Sequence, residues 1–274
     1  MKKIWIFDKC VREAFWKIAT AVLAVLSVGI IAVPEKHQVK TLIGFAIILV
    51  VCYIGVWIWA NRKKSIVIKI RNTKIVIKEG DLFEQEGKKV IPVNEYFDTI
   101  VGSGIIDPRS IHAQYIRNYA KIPPNELYEN IVSELKHVTP RGVDKERVPG
   151  GQIAYKLGTI FNDQNGFLLV AYSRFDKDNR AFLRSEDIAG CYINMWDQID
   201  IHRGSDSISL PVLGASGIVR SISKDYSPQQ LIELILWSFR ISGINLTRNA
   251  TLNIVVHSSL VKDVNFLKLK NYSD

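Results

Sequence analysis

Two long stretches near the start of the chain carry no charge. From Ile18 to Val33, with Trp16 at its edge, the run is just long enough for a helix to span a hydrocarbon core of about 30 Å. Pro34-Glu-Lys-His-Gln-Val-Lys40 is polar and reads as a short turn. A second uncharged run, Thr41 to Ala60, ends in an aromatic pair, Trp57 and Trp59, and Arg62, Lys63 and Lys64 follow at once. The pattern predicts a two-helix transmembrane hairpin over residues 18–60, preceded by a segment 1–17 that mixes Lys2, Lys3, Lys9, Arg12 and Lys17 with Trp5, Phe7, Phe15 and Trp16. Basic residues flank the hairpin densely, whereas the turn carries only Lys36 and Lys40, which places both termini in the cytoplasm. A cleaved signal peptide fits less well, because the second run follows immediately. A buried hairpin in a soluble protein is the other reading of the same pattern. The helices have few polar atoms with which to line a pore, so a single hairpin is not a channel; several copies together are the alternative.

Beyond Asn61 the pattern changes to short alternating or β-branched runs interleaved with helical periodicity. Ser65 to Arg71 and Lys74 to Lys78 are strands, either a hairpin or two successive elements, and Lys88 to Asn94 is a third. Helices are predicted over Ser110–Ala120 and Asn125–Lys136, an exposed loop over Thr139–Gln152, and strands over Ala154–Phe161 and Phe167–Phe175 around Asp163-Gln-Asn-Gly166. Ser185 to Ile199 is a helix with Ser185 as its N-cap, and Ser207 to Val212 a strand. Ser227-Pro-Gln-Gln230 has the form of a capping box with proline at the first helical position, starting an apolar helix that Gly243 ends. Leu231 to Ile241 is apolar on nearly every side, which suits a core helix or a subunit contact. Thr251 to His257 is a last strand before a polar helical tail. Strands alternating with helices give an α/β domain with a mixed central sheet over residues 61–274.

Composition adjusts this picture little. The chain is 47% hydrophobic, with the excess before Asn61, and 36 Lys and Arg against 27 acidic residues leave a net charge of +9. The positive balance suits an anionic membrane surface or an anionic small ligand; no motif of a nucleic-acid binder accompanies it. Cys10, Cys52 and Cys191 lack the spacing of a zinc or redox site and read as unpaired thiols in a reducing compartment, and the five histidines show no ligand spacing.

The candidate chemistry lies in two small-residue loops. Ser207 to Arg220 runs from a strand into Gly214-Ala-Ser-Gly217, and Val101-Gly-Ser-Gly-Ile-Ile-Asp107 also follows a strand. Such loops present successive backbone N–H groups to an anion, although a lone strand followed by G-x-x-G is more often only a tight turn. Two of them in one crevice at the carboxyl ends of strands can enclose a diphosphate, and the helix starting at Ser110 turns its positive end toward the first.

The order Gly80-Asp-Leu-Phe83, Ile91-Pro-Val-Asn94, Gly102-Ser-Gly104 and Pro211-Val-Leu-Gly-Ala-Ser-Gly-Ile218 resembles the macro domain, over roughly residues 66–257. Macro domains bind ADP-ribose and show G-D-I-T, V-N-A-A-N, a run of glycines and P-x-L-G-x-G-I. A two-span hairpin followed by a divergent macro domain is similar to the transmembrane-macro effectors of bacterial Thoeris anti-phage defence. The resemblance implies a protein of the inner membrane that needs no cofactor. Its signal would be an ADP-ribose derivative, a histidine conjugate made from NAD by a TIR-domain partner, and it would answer by oligomerising and disrupting the lipid bilayer in abortive infection. It also implies roles for residues. Asp81 would accept from the adenine amino group and the Leu82 N–H would meet a ring nitrogen. Asn94 would stand at the strand end. Gly102, Ser103, Gly104, Ile105 and Ile106 would pass around the phosphates and distal ribose. Gly214, Ala215, Ser216, Gly217, Ile218 and Val219 would enclose the diphosphate, with Arg220 adding charge. Taken without the resemblance, Asp81 caps a strand-end turn and Arg220 is solvated.

The departures separate function classes. Hydrolytic macro domains carry a second asparagine three residues after the first, and here that position is Phe97. Glu95, Asp98 and Asp107 supply carboxylates nearby, yet no nucleophile–base spacing is recognisable. Loss of the asparagine favours a binding sensor over the alternative, a membrane-anchored ADP-ribosyl hydrolase; a nucleotide-independent anchor is a third class. Ser103, and Ala215-Ser216 in the second loop, reshape the pocket, as a conjugated ligand requires.

Overall fold

A computed structural model describes residues 4–31, 33–246 and 250–274, the side chains of 25, 26, 28–31, 220, 221 and 223 excepted. The chain divides into two compact units, Met1–Ile66 with Asn265–Asn271, and Val67–Val264 with Tyr272–Asp274.

The first unit is helical. α1 (Lys9–Ile31) starts at Asp8, whose Oδ1 accepts from the Cys10 N–H at 2.8 Å, and α2 spans Glu35–Arg62. The polar residues up to Lys40 lie inside α2, not in a turn: Pro34 stands at its N-cap and Glu35 suits the positive end of the helix dipole. Val11, Val56 and Ala60 form a small core between the helices with Ala14, Phe15, Tyr53, Trp57 and Leu267 around it. Elsewhere the apolar side chains of α2, including Val39, Leu42, Ile43, Ile47 and Val51, are exposed. Among the described residues, α2 is the one helix long and apolar enough to cross a membrane. The uncharged part of α1, Ile18–Ile31, covers about 21 Å at about 1.5 Å per residue, short of a core of about 30 Å. A second crossing is therefore carried by the sequence pattern alone.

The second unit is an α/β domain. Its strands are β1 (Ser65–Ile70), β2 (Thr73–Glu79), β3 (Lys88–Asn94), the short β4 (Gly142–Val143) and β5 (Ile153–Ala154), β6 (Ile160–Asn162), β7 (Phe167–Phe175), β8 (Ala181–Phe182), β9 (Ile208–Pro211) and β10 (Thr251–Val256). Its helices are α3 (Ile111–Asn118), α4 (Pro124–Glu134), α5 (Ser185–His202), the single-turn α6 (Arg220–Asp225) and α7 (Pro228–Ser242). The main sheet has the order β1-β2-β10-β9-β3-β7-β6, with β8 also paired to β7. From β2 to β7 all neighbours are parallel, whereas β6 and β8 run antiparallel to β7. Covered on both faces, β7 is apolar and buried from Phe167 to Tyr172, while the edge strand β1 alternates exposed and buried positions. One face of β3 and β7, with Ile91, Val93, Phe167, Leu169 and Ala171, packs on α3 and α4 through Tyr115, Ile116, Leu127 and Ile131. On the opposite side α5 packs against β6, β7 and α7.

Some local expectations change. The stretch Ala154–Phe161 is broken into β5 and β6, because Gly158 adopts φ +86° and its N–H donates to Ala171 O at 2.7 Å. A Cβ there would sit 2.5 Å from Cys191 O. The N-cap of α5 is Arg184, with Ser185 the first helical residue. The tail forms short 3-10 turns, and α6 is an addition to the pattern. The capping box of α7 forms as expected: Ser227 Oγ accepts from the Gln230 N–H, Gln230 Oε1 accepts from the Ser227 N–H, and Gly243 closes the helix at φ +82°. On α7, Leu231, Ile232, Ile235, Leu236 and Phe239 are buried but Trp237 and Ile241 are exposed. Replacing Ser227 by alanine removes the acceptor of one first-turn donor and is expected to cost about 1 kcal/mol of unfolding free energy, read by denaturant titration, with Ser227→Thr close to wild type.

Candidate functional site

Three neighbouring parallel strands, β9, β3 and β7, end on the same side of the sheet, and a cavity of about 730 Å³ opens there. Its floor is made by Pro92–Asn94, Tyr172, Ser173 and Pro211–Leu213. Between Val93 and Asn94 the pairing with β7 shifts by one residue, leaving Tyr172 unpaired in the ladder, so the two strand ends splay apart. The volume is in the range of small-ligand sites, and strand carboxyl ends are where ligands of parallel sheets bind.

The loop after β3 forms the first wall. Gly102, Ser103 and Gly104 all have left-handed backbones, with φ of +85°, +50° and +76°. The loop closes on itself through Gly102 N–H to Ile106 O and Ile105 N–H to Gly102 O, both 2.9 Å, while the N–H groups of Ser103 and Gly104 donate to no protein acceptor among the described residues. Gly102, Gly104, Ile105 and Ile106 line the cavity. The first turn of α3 follows. Ser110 Oγ caps it by accepting from the Ala113 N–H at 3.0 Å, and His112 lines the cavity with its Nε2 buried and without a partner. Burial pushes the pKa of His112 down to about 3, so the ring is neutral.

The loop after β9 is the second wall, through Gly214, Ser216, Gly217, Ile218 and Val219. Its two glycines differ in purpose. A Cβ at Gly214 would stand 2.5 Å from Ile222 Cγ2 and 3.2 Å from Tyr172 Oη, so this glycine is required by packing. Nothing lies within 4 Å of a Cβ built at Gly217 or Gly104, so these face open space. The rim arginines are both engaged: Arg109 with Asp107 at 2.9 Å, which holds the Asp107 carboxyl below its usual range, and Arg180 with Asp178 at 3.1 Å. The two small-residue loops add backbone N–H groups as donors for an anion.

Behind the first wall the residues after Asn94 are locked. Asn94 Oδ1 accepts from the Tyr96 N–H at 3.0 Å. Glu95 is fully buried, bound by Arg141 at 2.7 Å, with Arg174 at 3.6 Å. Asp98 is bound bidentately by Arg147 at 2.9 and 2.6 Å and by the Gly151 N–H at 2.7 Å. The Arg147 guanidinium is itself buried, 4.0 Å from the Tyr96 ring centroid, and donates to Asn179 Oδ1. The polar segment 139–152 is largely exposed, as expected, but it is tied down by Arg141 and Arg147 and by β4 pairing with β5. Phe97, at φ +51°, is fully buried edge-on against Tyr155.

The family model for the Thoeris protein ThsA, Macro domain, matches residues 75–257. Over 236 residues the chain is 34% identical to the Thoeris protein ThsA of Bacillus amyloliquefaciens (strain Y2), covering 84% of this chain and 77% of that protein. The chain belongs to the Thoeris ThsA family. Solved structures similar to it include an Oceanobacillus iheyensis macrodomain with ADP, at 14% identity, TM-score 0.45, 76% of this chain and 94% of that one. Another is the macro domain of ganglioside induced differentiation associated protein 2, at 13% identity, TM-score 0.44, 78% and 92%.

Of the residues singled out from the sequence of this ThsA-family chain, Asn94, Gly102, Gly104, Ile105, Ile106, Gly214, Ser216, Gly217, Ile218 and Val219 line the cavity. Asp81, Leu82, Ser103 and Ala215 are not part of its wall. Asp81 Oδ1 accepts from the Phe83 N–H at 2.8 Å, the strand-end turn that its residue type permits, and Leu82 is buried in the core. The Arg220 side chain lies outside the described residues. Sequence reasoning missed Ser173, Phe175, Asp178 and Asn179, at the end of β7 and in its turn to β8. The signal was the polar cluster Asp176-Lys-Asp-Asn-Arg180 after an apolar strand, which marks a strand's carboxyl end without saying which strand lies beside it. Among the described residues no group of His, Cys, Asp and Glu comes together as a metal site.

Two measurements check this account. Arg147→Met leaves Asp98 buried and unpaired and is expected to cost about 3–5 kcal/mol in denaturant unfolding, part of which Asp98→Asn restores in the double variant. His112 is neutral when folded and protonates near pH 6.5 when unfolded, so the unfolded state binds more protons and stability falls as pH drops below 6.5. The loss is about 2 kcal/mol between pH 6.5 and 5, at about 1.4 kcal/mol per unit, and His112→Leu is expected to flatten that part of the profile.

Proposed function

We propose that this cavity binds an ADP-ribose-type messenger and that the chain is a membrane-anchored effector of Thoeris defence gated by it. The observation that carries the reading is the pair of glycine loops on adjacent parallel strands, with open space beside Gly104 and Gly217, which lets an anion approach the backbone. The Gly214–Val219 loop holds the diphosphate, with Arg220 adding charge, and the Gly102–Ile106 loop holds the distal ribose. The adenine extends beyond the cavity wall to Asp81 Oδ2 and the Leu82 N–H. A carboxylate only accepts, so Asp81 selects an exocyclic amino group. The messenger is the product of a TIR-domain partner acting on NAD, a histidine conjugate of ADP-ribose, and the wall from Ser173 to Asn179 receives the conjugated group.

Binding without turnover is favoured by what surrounds the ligand. Phe97, at the position of the hydrolytic asparagine, is held in the core, and Glu95, Asp98 and Asp107 are each engaged by arginine, so none is a free general base. The output lies in the helical unit. α2 crosses the inner membrane with α1 as a second crossing and both termini in the cytoplasm. Ligand that binds one state of the protein more tightly shifts it toward a homo-oligomer that disrupts the bilayer, which accounts for abortive infection.

Calorimetric titration of the full chain in detergent, with the ligand recovered and weighed by mass spectrometry, tests the reading. Saturable binding of ADP-ribose or its histidine conjugate with ligand returned intact is the expected result; turnover would replace the sensor by a hydrolase. Gly217→Glu, which has room for its side chain, is expected to weaken binding by about 100-fold or more through an unpaired charge facing phosphate, while Gly217→Asn, tolerant of φ +76°, keeps it. Equal affinity in both variants would remove the diphosphate from this loop.

A further inference from the structure

The helical unit contains a second cavity, of about 610 Å³, wholly within that unit. Ala14 of α1, Gly55 and Val56 of α2 and Leu267 of the C-terminal segment form an apolar floor, and Lys17 and Lys270 stand at its rim, both exposed. The third charged lining residue, Glu13, has Lys9 at 3.8 Å. The groove is open at Gly55, where nothing lies within 4 Å of a built Cβ. The neighbouring residues are fixed by hydrogen bonds. Tyr53 Oη donates to Ile6 O at 2.6 Å, Trp57 Nε1 donates to Ile4 O at 2.8 Å, and the Ile4 N–H donates to Asn61 Oδ1 at 2.9 Å, so the segment before α1 is strapped to the end of α2.

Its position has a chemical meaning. The uncharged run of α1 begins directly after Lys17, and that of α2 ends just after Trp59, before Arg62, Lys63 and Lys64. Trp16 and Trp59 are exposed at this level, with the Lys63 ammonium 4.8 Å from the Trp59 ring centroid. This is the composition of a water–hydrocarbon boundary. A groove with an apolar floor, a cationic rim and that depth matches one amphiphile with an anionic head, and basic pockets between helices at this level bind such head groups.

We propose that the groove binds one anionic phospholipid of the bilayer, an acyl chain lying on Ala14, Gly55, Val56 and Leu267 and the phosphate set between Lys17 and Lys270. The proposal rests on the reading of α2 as a membrane-crossing helix. Because Lys270 comes from the C-terminal segment and Lys17 from α1, the lipid joins the two through its head group.

The test uses the full chain in nanodiscs of phosphatidylcholine alone or mixed with phosphatidylglycerol, released into the gas phase for native mass spectrometry. The wild type is expected to retain one phosphatidylglycerol per chain in preference to phosphatidylcholine. Lys17→Gln with Lys270→Gln should lower that preference by about tenfold, and Gly55→Leu, whose side chain fills the floor, should abolish retention of both lipids. Wild-type retention with no head-group preference, or variants that hold lipid as the wild type does, would overturn the site. A Gly55→Leu variant that keeps its lipid but changes oligomeric state would assign the groove to a helix of a second copy instead. Failure of the wild type to enter nanodiscs at all would refute the membrane-crossing helix itself, a result distinct from entry without lipid retention. Should Gly55→Leu not fold, the lysine pair, both exposed, decides the matter alone.

Discussion

Two carboxylates directly after the central strand, those of Glu95 and Asp98, are almost completely removed from water, and the shape of the site depends on how they are neutralised. An unpaired carboxylate at that depth would cost several kcal/mol, so arginines must come inward to meet them. Arg141 and Arg147 arrive from the polar segment 139–152 and Arg174 from the end of β7. These pairs tie the residues after β3 to the neighbouring strand, and they hold Asn179 of the β7–β8 turn through Arg147. The cavity beyond is thereby given one side that is firmly built and one, after β9, that depends on the close packing of Gly214 on Ile222 and Tyr172.

This arrangement separates holding a ligand from reacting with it. The two glycine loops bring backbone N–H groups to the cavity, and His112 in its wall is neutral, whereas Glu95, Asp98 and Asp107 are spent on internal ion pairs. Backbone donors are fixed by the fold and carry no proton to transfer, which suits recognition of a phosphate more than bond cleavage. Phe97 illustrates the same division from the side of the core: its ring completes the packing with Tyr155 at a backbone angle that a side chain adopts only when its surroundings enforce it.

Much of the fold was legible from patterning. The capping box at Ser227, the proline after it and Gly243 at the far end are local signals whose hydrogen bonds close within one helix, and α7 forms where they say. The strand expected over Phe167–Phe175 forms with those bounds as β7. Local signals failed where a single distant contact decided the outcome. Nothing near Gly158 in the chain shows that the backbone of α5 will lie 2.5 Å from its Cβ position, and the strand read through it is broken there. Ser185 has the residue type of an N-cap, yet the helix begins on it. Segment 139–152 is largely exposed, as its composition implies, yet Arg141 and Arg147 reach from it to buried acids that no local pattern pairs with them.

The same distinction holds for function. The uncharged run of α2 with its aromatic and basic border, the two glycine loops after strands, and Phe97 in place of an asparagine are properties of residue order alone, because each acts through neighbours a few positions away. Only the tertiary structure decided that β9, β3 and β7 lie side by side and in parallel, which brings the two loops to one cavity and adds the β7–β8 turn to its wall. It also set Asp81 into its own turn, outside that wall, and matched each buried acid to an arginine far along the chain. Strand order and ion pairing join residues distant in sequence, and their energies depend on burial that no local pattern encodes.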